Sequence, residues 1–391
     1  MFKILGGTYL ELCIEPQYRE LYGSGLRAAV ALSNTGKKIS FTSCIGKDKY
    51  DAAKSICDNF NIVSNFKLIE ETVSFHYYHP LSSPIFQSSI FDRPKVSLPD
   101  IDAENILYYG MIEATAKVSC DFAVYDAQNS IGFRETESTA EHLAILVNQN
   151  EARLISGLKD SVDLEQIGRS LLESQGAEVV VIKNGSSGAL VIEDSGIHKI
   201  PVFATSAVWP IGSGDIFSAA FAWKWMLEKE SAFDSAMYAS RFTAYYCESR
   251  LLPLPTDIPH YEALSDRSKK KKIYLAGPFF NIAERWLINE VRSCLLSFGN
   301  QVFSPFHDVG FGESLDIACQ DLEGIKSADV IFAIVNGLDP GTLFEVGYAR
   351  AIGKRVVLLA ENINEVDLLM LEGSNCEITN DLSTAVYKAS W

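Results

Sequence analysis

Residues 321–359 read DLEGIKSADVIFAIVNGLDPGTLFEVGYARAIGKRVVLL. The run DVIFAIV (329–335) is short, continuous and apolar, the pattern of a strand buried on both faces. NGLDPG supplies a turn, TLFEVGYARAIG reads as a helix ending at Gly353, and RVVLL returns as a strand. Strand, helix and strand in this order imply a parallel sheet, and in such a unit ligands bind in the crevice beyond the carboxyl ends of the strands. Asp339 and Glu345 fall at that edge. Glu345 lies within the first turns of the helix, where the dipole favours an ionised carboxylate. An ionised carboxylate facing a sugar C1′ is what covalent glycosyl transfer needs, and a second carboxyl group must then handle the base's proton. A Glu345 that only caps the helix and an Asp339 that only forms an Asx turn give the same local pattern without chemistry.

Towards the N-terminus the same alternation recurs. Short apolar runs appear at FKIL (near residue 2), ISFTSCI (39), ENILYYG (104), FAVYDA (122), LAILVN (143) and VVVIKNG (179). Amphipathic stretches such as Asp163–Gln175 and Asp215–Leu227 lie between several of them, so a second, largely parallel sheet covered by helices is expected. Residues 64–100, with FHYYHP and LSSPIF, form the irregular part and suggest a small subdomain. The pattern breaks at PLPTDIPHYEALSDRSKKKK (253–272), whose three prolines and lysine run have no core-forming period. The domains are therefore placed at 1–264 and 273–391, joined by a linker at 265–272. The lysines read as a solvated linker rather than an anion-binding patch.

At 391 residues the chain exceeds the roughly 250–300 at which a single core stops growing, which also argues for two domains. With 47% hydrophobic and 21% charged residues it is an ordinary folded protein. A net charge of −16 disfavours a polynucleotide partner, since such binding leans on basic patches, but leaves room for a small nucleoside or sugar. The eight cysteines show no C-x-x-C pair, which suggests reduced, mostly buried thiols in a cytoplasmic protein. No stretch approaches 18 uncharged apolar residues, so no membrane span is expected.

The second domain resembles the nucleoside 2-deoxyribosyltransferase family. The resemblance is carried by IYLAGPFF (273–280), SPFHD (304–308), DLEGIK (321–326) and DPGTLFEVGYA (339–349), with six residues from Asp339 to Glu345. It implies a small flavodoxin- or Rossmann-like parallel-sheet domain with no cofactor. It further implies Glu345 as nucleophile, Asp321 and Asp339 near base and sugar, and Tyr274, Gly277, Phe279, Phe280 and Gly341 around the substrate. The Ala-Gly-Pro-Phe-Phe loop suits an uncharged base better than a phosphate, so nucleosides are favoured over nucleotides. Relatives imply a multimer whose pockets are completed by a neighbouring chain.

The first domain resembles the ribokinase-like (PfkB) family of sugar and nucleoside kinases, which implies a three-layer α/β fold. Gly212-Ser213-Gly214-Asp215 opens a helix, so its amides form an anion site at a helix N-terminus. YGSGLRAAVALSNTG (22–36), IGKD (45–48), NQNE (148–151) and IKNGSSGAL (182–190) follow the family's segments in order. The resemblance implies Asp215 as the base that accepts the acceptor's proton. It implies Gly212, Ser213 and Gly214 as the anion hole, Asn148 and Glu151 as support for Mg-ATP with the metal near Glu151, and Gly185 at the nucleotide-side turn. Three departures stand out: Trp209-Pro210 replaces the usual Asp-Thr, Arg27 replaces an Asn, and Glu11 stands for an early substrate-binding Asp. Two readings follow. One is a bifunctional enzyme that cleaves or exchanges a base and phosphorylates a nucleoside or sugar. The other is a nucleotide-sensing kinase fold that regulates the glycosidic-bond domain without turnover.

Overall fold

The computed structural model describes residues 1–86, 94–159, 161–264, 270–310 and 314–391. The chain divides into two compact units, one of residues 1–205 and 209–264, the other of 206–208 and 265–391. Residues 265–269 of the expected linker lie outside the described residues. The stretch before them is not free chain. Leu254 and Tyr261 are buried in the first unit, and Ala263–Leu264 pairs antiparallel with Val202–Phe203. The reading that 253–264 lacks a core-forming period is corrected accordingly: Leu254 and Tyr261 have apolar surface to bury, and the first unit buries it.

Among the described residues of the first unit, a nine-stranded sheet carries the fold. Its order is Gly196–Ile200, Ala189–Glu193, Val179–Lys183, Thr139–Asn148, Val118–Asp126, Ile101–Tyr109, Phe2–Leu5, Ile39–Gly46 and Val63–Ile69. Neighbours are parallel except for the two hairpin strands at one end. Period-2 alternation divides the apolar residues between two faces. Leu107, Val124, Ala144 and Val179 pack on one face, and their chain neighbours Ile106, Ala123, Leu143 and Val180 on the other. Both faces are covered, which is why the strand sequences read as continuous apolar runs.

Two expectations need correction here. Residues 64–100 are less irregular than their sequence suggests. Val63–Ile69 is an edge strand of the main sheet, and Ser74–Tyr77 and Ile85–Phe86 join Leu10–Cys13 and Tyr18–Leu21 in a separate four-stranded sheet; residues 87–93 lie outside the described residues. The helix Ser213–Ala222 is buried on every side from Asp215 to Ala222 rather than amphipathic. It packs against the helices Gly23–Ala31 and Ala232–Ser249 as well as the sheet, so none of its faces needs to be polar. The helix Gly23–Ala31 in turn crosses the end of the first strand closely. A Cβ on Gly25 would lie 2.6 Å from the backbone carbon of Gly6, so only glycine fits there.

The second unit holds a five-stranded parallel sheet in the order Gln301–Phe303, Lys272–Ala276, Val330–Ile334, Arg355–Leu359 and Glu377–Thr379. Numbered along the chain this is 2-1-3-4-5, the doubly wound order whose switch point lies between the first and third strands. Among the described residues, no helix is long and apolar enough to cross a membrane. No disulfide forms there either, and six of the eight cysteines are buried.

Candidate functional site

At the switch point of the second unit, the strand Lys272–Ala276 places Tyr274 beneath the helix Pro340–Ala351 that carries Glu345. The Tyr274 hydroxyl donates to Glu345 Oε1 at 2.6 Å. Burial pushes the Glu345 carboxyl up to about 7, the Tyr274 hydrogen bond opposes that rise, and the nearby carboxylates Asp321 and Asp339 add to it. The tyrosine itself is fixed by packing. It stacks on Phe303 with ring centroids 5.5 Å apart, and a Cβ on Gly324 would lie 2.7 Å from the Phe303 ring. Glycine at 324 is therefore needed for the helix Ser314–Ser327 to lie against both rings.

The two other carboxylates differ in what they are free to do. Asp339 is the N-cap of its helix, with Oδ2 accepting from the Thr342 amide at 2.7 Å and from its hydroxyl at 2.9 Å. Gly341 lies beside it, its notional Cβ 3.1 Å from the same oxygen. Asp321 makes no such cap: its buried Oδ1 has no partner among the described residues, and burial raises its pKa. Gly277 faces the core, where a Cβ would meet Ile288 at 2.9 Å, so its part is close packing. Phe279 stacks on Phe280 (5.5 Å) and lies against Phe306 (5.4 Å), with Phe280 68% exposed at the surface of the unit.

In the first unit the structure brings the sequence-derived residues together in a way the sequence did not indicate. Asp215 stands in the first turn of its helix, behind Gly212, whose φ of +79° is a left-handed turn conformation. Its Oδ2 accepts from Arg27 Nη1 at 2.7 Å and its Oδ1 from Gln128 Nε2 at 2.7 Å. The other arm of Arg27, Nη2, pairs with Glu11 Oε2, while Glu11 Oε1 accepts from the Gly23 amide at 3.2 Å. Arg27 is fully buried. Burial alone would lower its pKa, but Glu11, Tyr246 and Asp215 hold it above its ordinary value. Trp209, where the family has Asp, is buried against Tyr18 with ring centroids 4.8 Å apart.

Beside this cluster three parallel strands end on Asp126, Asn148 and Lys183. Lys183 Nζ reaches Asp126 Oδ2 at 2.6 Å and lies 3.7 Å from a notional Cβ on Gly214, at the N-terminus of the helix Ser213–Ala222. Ser218 donates to the same Asp126 oxygen at 2.6 Å. Asn148 and Glu151 form a reciprocal capping box, with the Asn148 amide donating to Glu151 Oε2 at 2.7 Å. Burial, then Asp126, pushes Glu151 up to about 7. Gly185 opens a short turn with φ +51°. Lys183, Asp126 and Gln128, which join this cluster, were not singled out in the sequence. Their signal was present, since each lies at or just past the carboxyl end of a strand, where such sheets bind ligands.

The family profile "pfkB family carbohydrate kinase" matches residues 111–255, and "Nucleoside 2-deoxyribosyltransferase" matches residues 273–381. The two units thus match two families. The chain is 30% identical over 135 residues to a 5-dehydro-2-deoxygluconokinase of Clostridium perfringens, covering 33% of this chain and 37% of that protein. The chain therefore spans under two fifths of that relative's length. A Clostridium beijerinckii protein of the same name is 24% identical over 293 residues, covering 64% of this chain and 85% of the relative. Among solved structures, aminoimidazole riboside kinase from Salmonella enterica is 14% identical with a TM-score of 0.48, covering 64% of this chain and 94% of that one.

Proposed function

We propose that the deoxyribosyltransferase-like unit cleaves or exchanges the N-glycosidic bond of a nucleoside with Glu345 as nucleophile, and that the PfkB-like unit binds Mg-ATP. The observation that carries the first part is the half-buried Glu345 carboxylate, held by the Tyr274 hydroxyl at 2.6 Å at the sheet's switch point. The Glu345 carboxylate attacks C1′, and the C1′–N bond breaks with its electron pair leaving on the base. Asp321, whose buried Oδ1 has no partner among the described residues, hands that base its proton. Asp339, held in its helix cap by Thr342, positions the sugar. A second base or water then displaces Glu345 from C1′ and restores the carboxylate. Exposed Phe280, Ile282, Trp286 and Phe344 support a multimer.

The donor side of the PfkB-like unit fits a nucleotide triphosphate with its metal. The N-terminal amides around Gly212, Ser213 and Gly214 suit a phosphate, with Lys183 beside them, and Glu151 and the orphaned Asp126 Oδ1 suit the metal's side. Mg-ATP supplies a transferable phosphoryl group when bound. The bifunctional and the sensing readings share this donor side and divide on the acceptor side.

The test is incubation of the full chain with a panel of 2′-deoxynucleosides, with and without free bases and ATP, read by mass spectrometry. Base release or exchange is expected without any ATP requirement. A folded protein that consumes none of the nucleosides would remove the reading.

The electrostatics also set a pH profile. Glu345 must be ionised to attack, so its titration makes kcat/KM rise with pH through about 7, before any fall that loss of the Asp321 proton brings. Tyr274→Phe removes the hydrogen bond that favours the ionised form, so the midpoint moves to higher pH. A profile that is flat from about pH 5 to about pH 9 in the wild type would contradict this role. Stability runs the opposite way. Glu345 keeps its proton in the fold from its ordinary 4.5 up to about 7, so its contribution is fully present below 4.5 and is lost as the pH rises through about 7.

A further inference from the structure

The first unit contains a closed ionic network on the side where a kinase of this fold needs an open one. Glu11 lies on the strand Leu10–Cys13 of the small sheet, whereas Arg27 and Asp215 lie on helices that cover the main sheet. Every charged oxygen of the network has a partner. Glu11 takes Arg27 and the Gly23 amide at the start of the helix Gly23–Ala31, and Asp215 takes Arg27 and Gln128. Both carboxylates also stand at helix N-termini, which offsets the net negative charge of two acids and one base. The Tyr22 ring stacks over the guanidinium at 5.3 Å, and Tyr18 and Tyr246 face it. The guanidinium lies directly against the anion-site turn, since a Cβ on Gly212 would fall 2.3 Å from Arg27 Nε. That Nε is buried and has no acceptor among the described residues.

We propose that Arg27 is a built-in occupant of the acceptor position: its guanidinium fills the space between Gly212 and Asp215 and neutralises Asp215, so a small-molecule hydroxyl finds neither room nor base. The unit then holds a nucleotide without passing on its phosphoryl group, a conclusion that rests on the donor-side reading above. An acceptor hydroxyl gives up its proton only to a carboxylate lone pair it can reach; each Asp215 oxygen already accepts one hydrogen bond, and the guanidinium occupies the approach beside Gly212 to the lone pairs that remain. A carboxylate-bearing acceptor does not release the arginine either, because it adds a further negative charge to a network that already has one in excess.

The experiment has three arms on the full chain. Calorimetric titration with a non-hydrolysable ATP analogue and Mg²⁺ tests the donor side alone. ADP release from Mg-ATP is then measured with a panel of sugars, sugar acids and nucleosides. The wild type should bind the analogue and show acceptor-dependent release within about twofold of the acceptor-free rate. Release stimulated about tenfold or more by any acceptor, and lost in Asp215→Asn, overturns the proposal. The third arm needs no nucleotide. In Arg27→Ala combined with Glu11→Gln, which lowers the number of unpaired buried charges, millimolar methylguanidinium should fill the vacated space and raise the melting temperature, while leaving the wild type unmoved. Absence of this rescue in a folded double variant also overturns it. Failure to bind the ATP analogue removes the donor-side reading, and the placement of Arg27 is still decided by the third arm.

Discussion

Glu345→Gln is expected to leave the deoxyribosyltransferase-like unit folded and to lower base release or exchange by at least about 10³-fold. The amide keeps the size of the side chain and its contact with the Tyr274 hydroxyl, so packing around Phe303 and Gly324 is retained. What disappears is the nucleophile, and with it the covalent route. The substitution also removes a carboxyl group that burial keeps protonated up to about 7. At pH 8 the wild type holds this group ionised against its surroundings, so the variant should be no less stable there, and its stability should lose the fall between pH 4.5 and about 7. Rate and stability thus separate: a variant that unfolds early says nothing, whereas one that melts with the wild type and keeps more than about a tenth of the rate shows that the nucleophile is elsewhere. Single-turnover assays and thermal melts at the two pH values give both readings.

Much of this arrangement was legible in the sequence, and the remainder was hidden for identifiable reasons. Strands buried on both faces announce themselves as apolar runs, so DVIFAIV and LAILVN were readable without any partner. The half-exposed strands Leu10–Cys13 and Ser74–Tyr77 do not, and their parallel pairing across an intervening stretch of main sheet has no local signature. Glu345 and Asp339 lie six residues apart on one turn and helix, so their shared location was visible. The Tyr274 hydroxyl reaches Glu345 across 71 positions, and that contact emerges only when strand and helix meet. Arg27 was visible as a departure from the PfkB pattern, but its partner Asp215 is 188 positions away. A lone arginine in a small-residue helix gives no hint that it will be fully buried.

Arg27→Met should cost the PfkB-like unit about 3–5 kcal/mol, the usual penalty when one partner of a buried ionic network is removed and the other charges stay behind. The methionine fills most of the volume, so a cavity is not the main cause. The cost comes from leaving Glu11 and Asp215 without their shared cation while both remain buried in the core. This origin makes the loss reversible in a specific way. Adding Glu11→Gln and Asp215→Asn to Arg27→Met replaces the two stranded charges with neutral amides that still accept from Gly23 and Gln128. The triple variant should therefore recover most of the stability that the single change loses, because a neutral, well-packed replacement of a buried ionic cluster is often no worse than the cluster itself. Urea unfolding followed by the tryptophan fluorescence of Trp209, Trp223 and Trp225, all buried in this unit, measures each step. If the triple variant is as unstable as the single one, the cost lies in lost packing of the arginine stem against Tyr22 and Gly212 rather than in stranded charge. The network would then be a consequence of how the helices pack, and the neutralisation of Asp215 would have to be established from turnover alone.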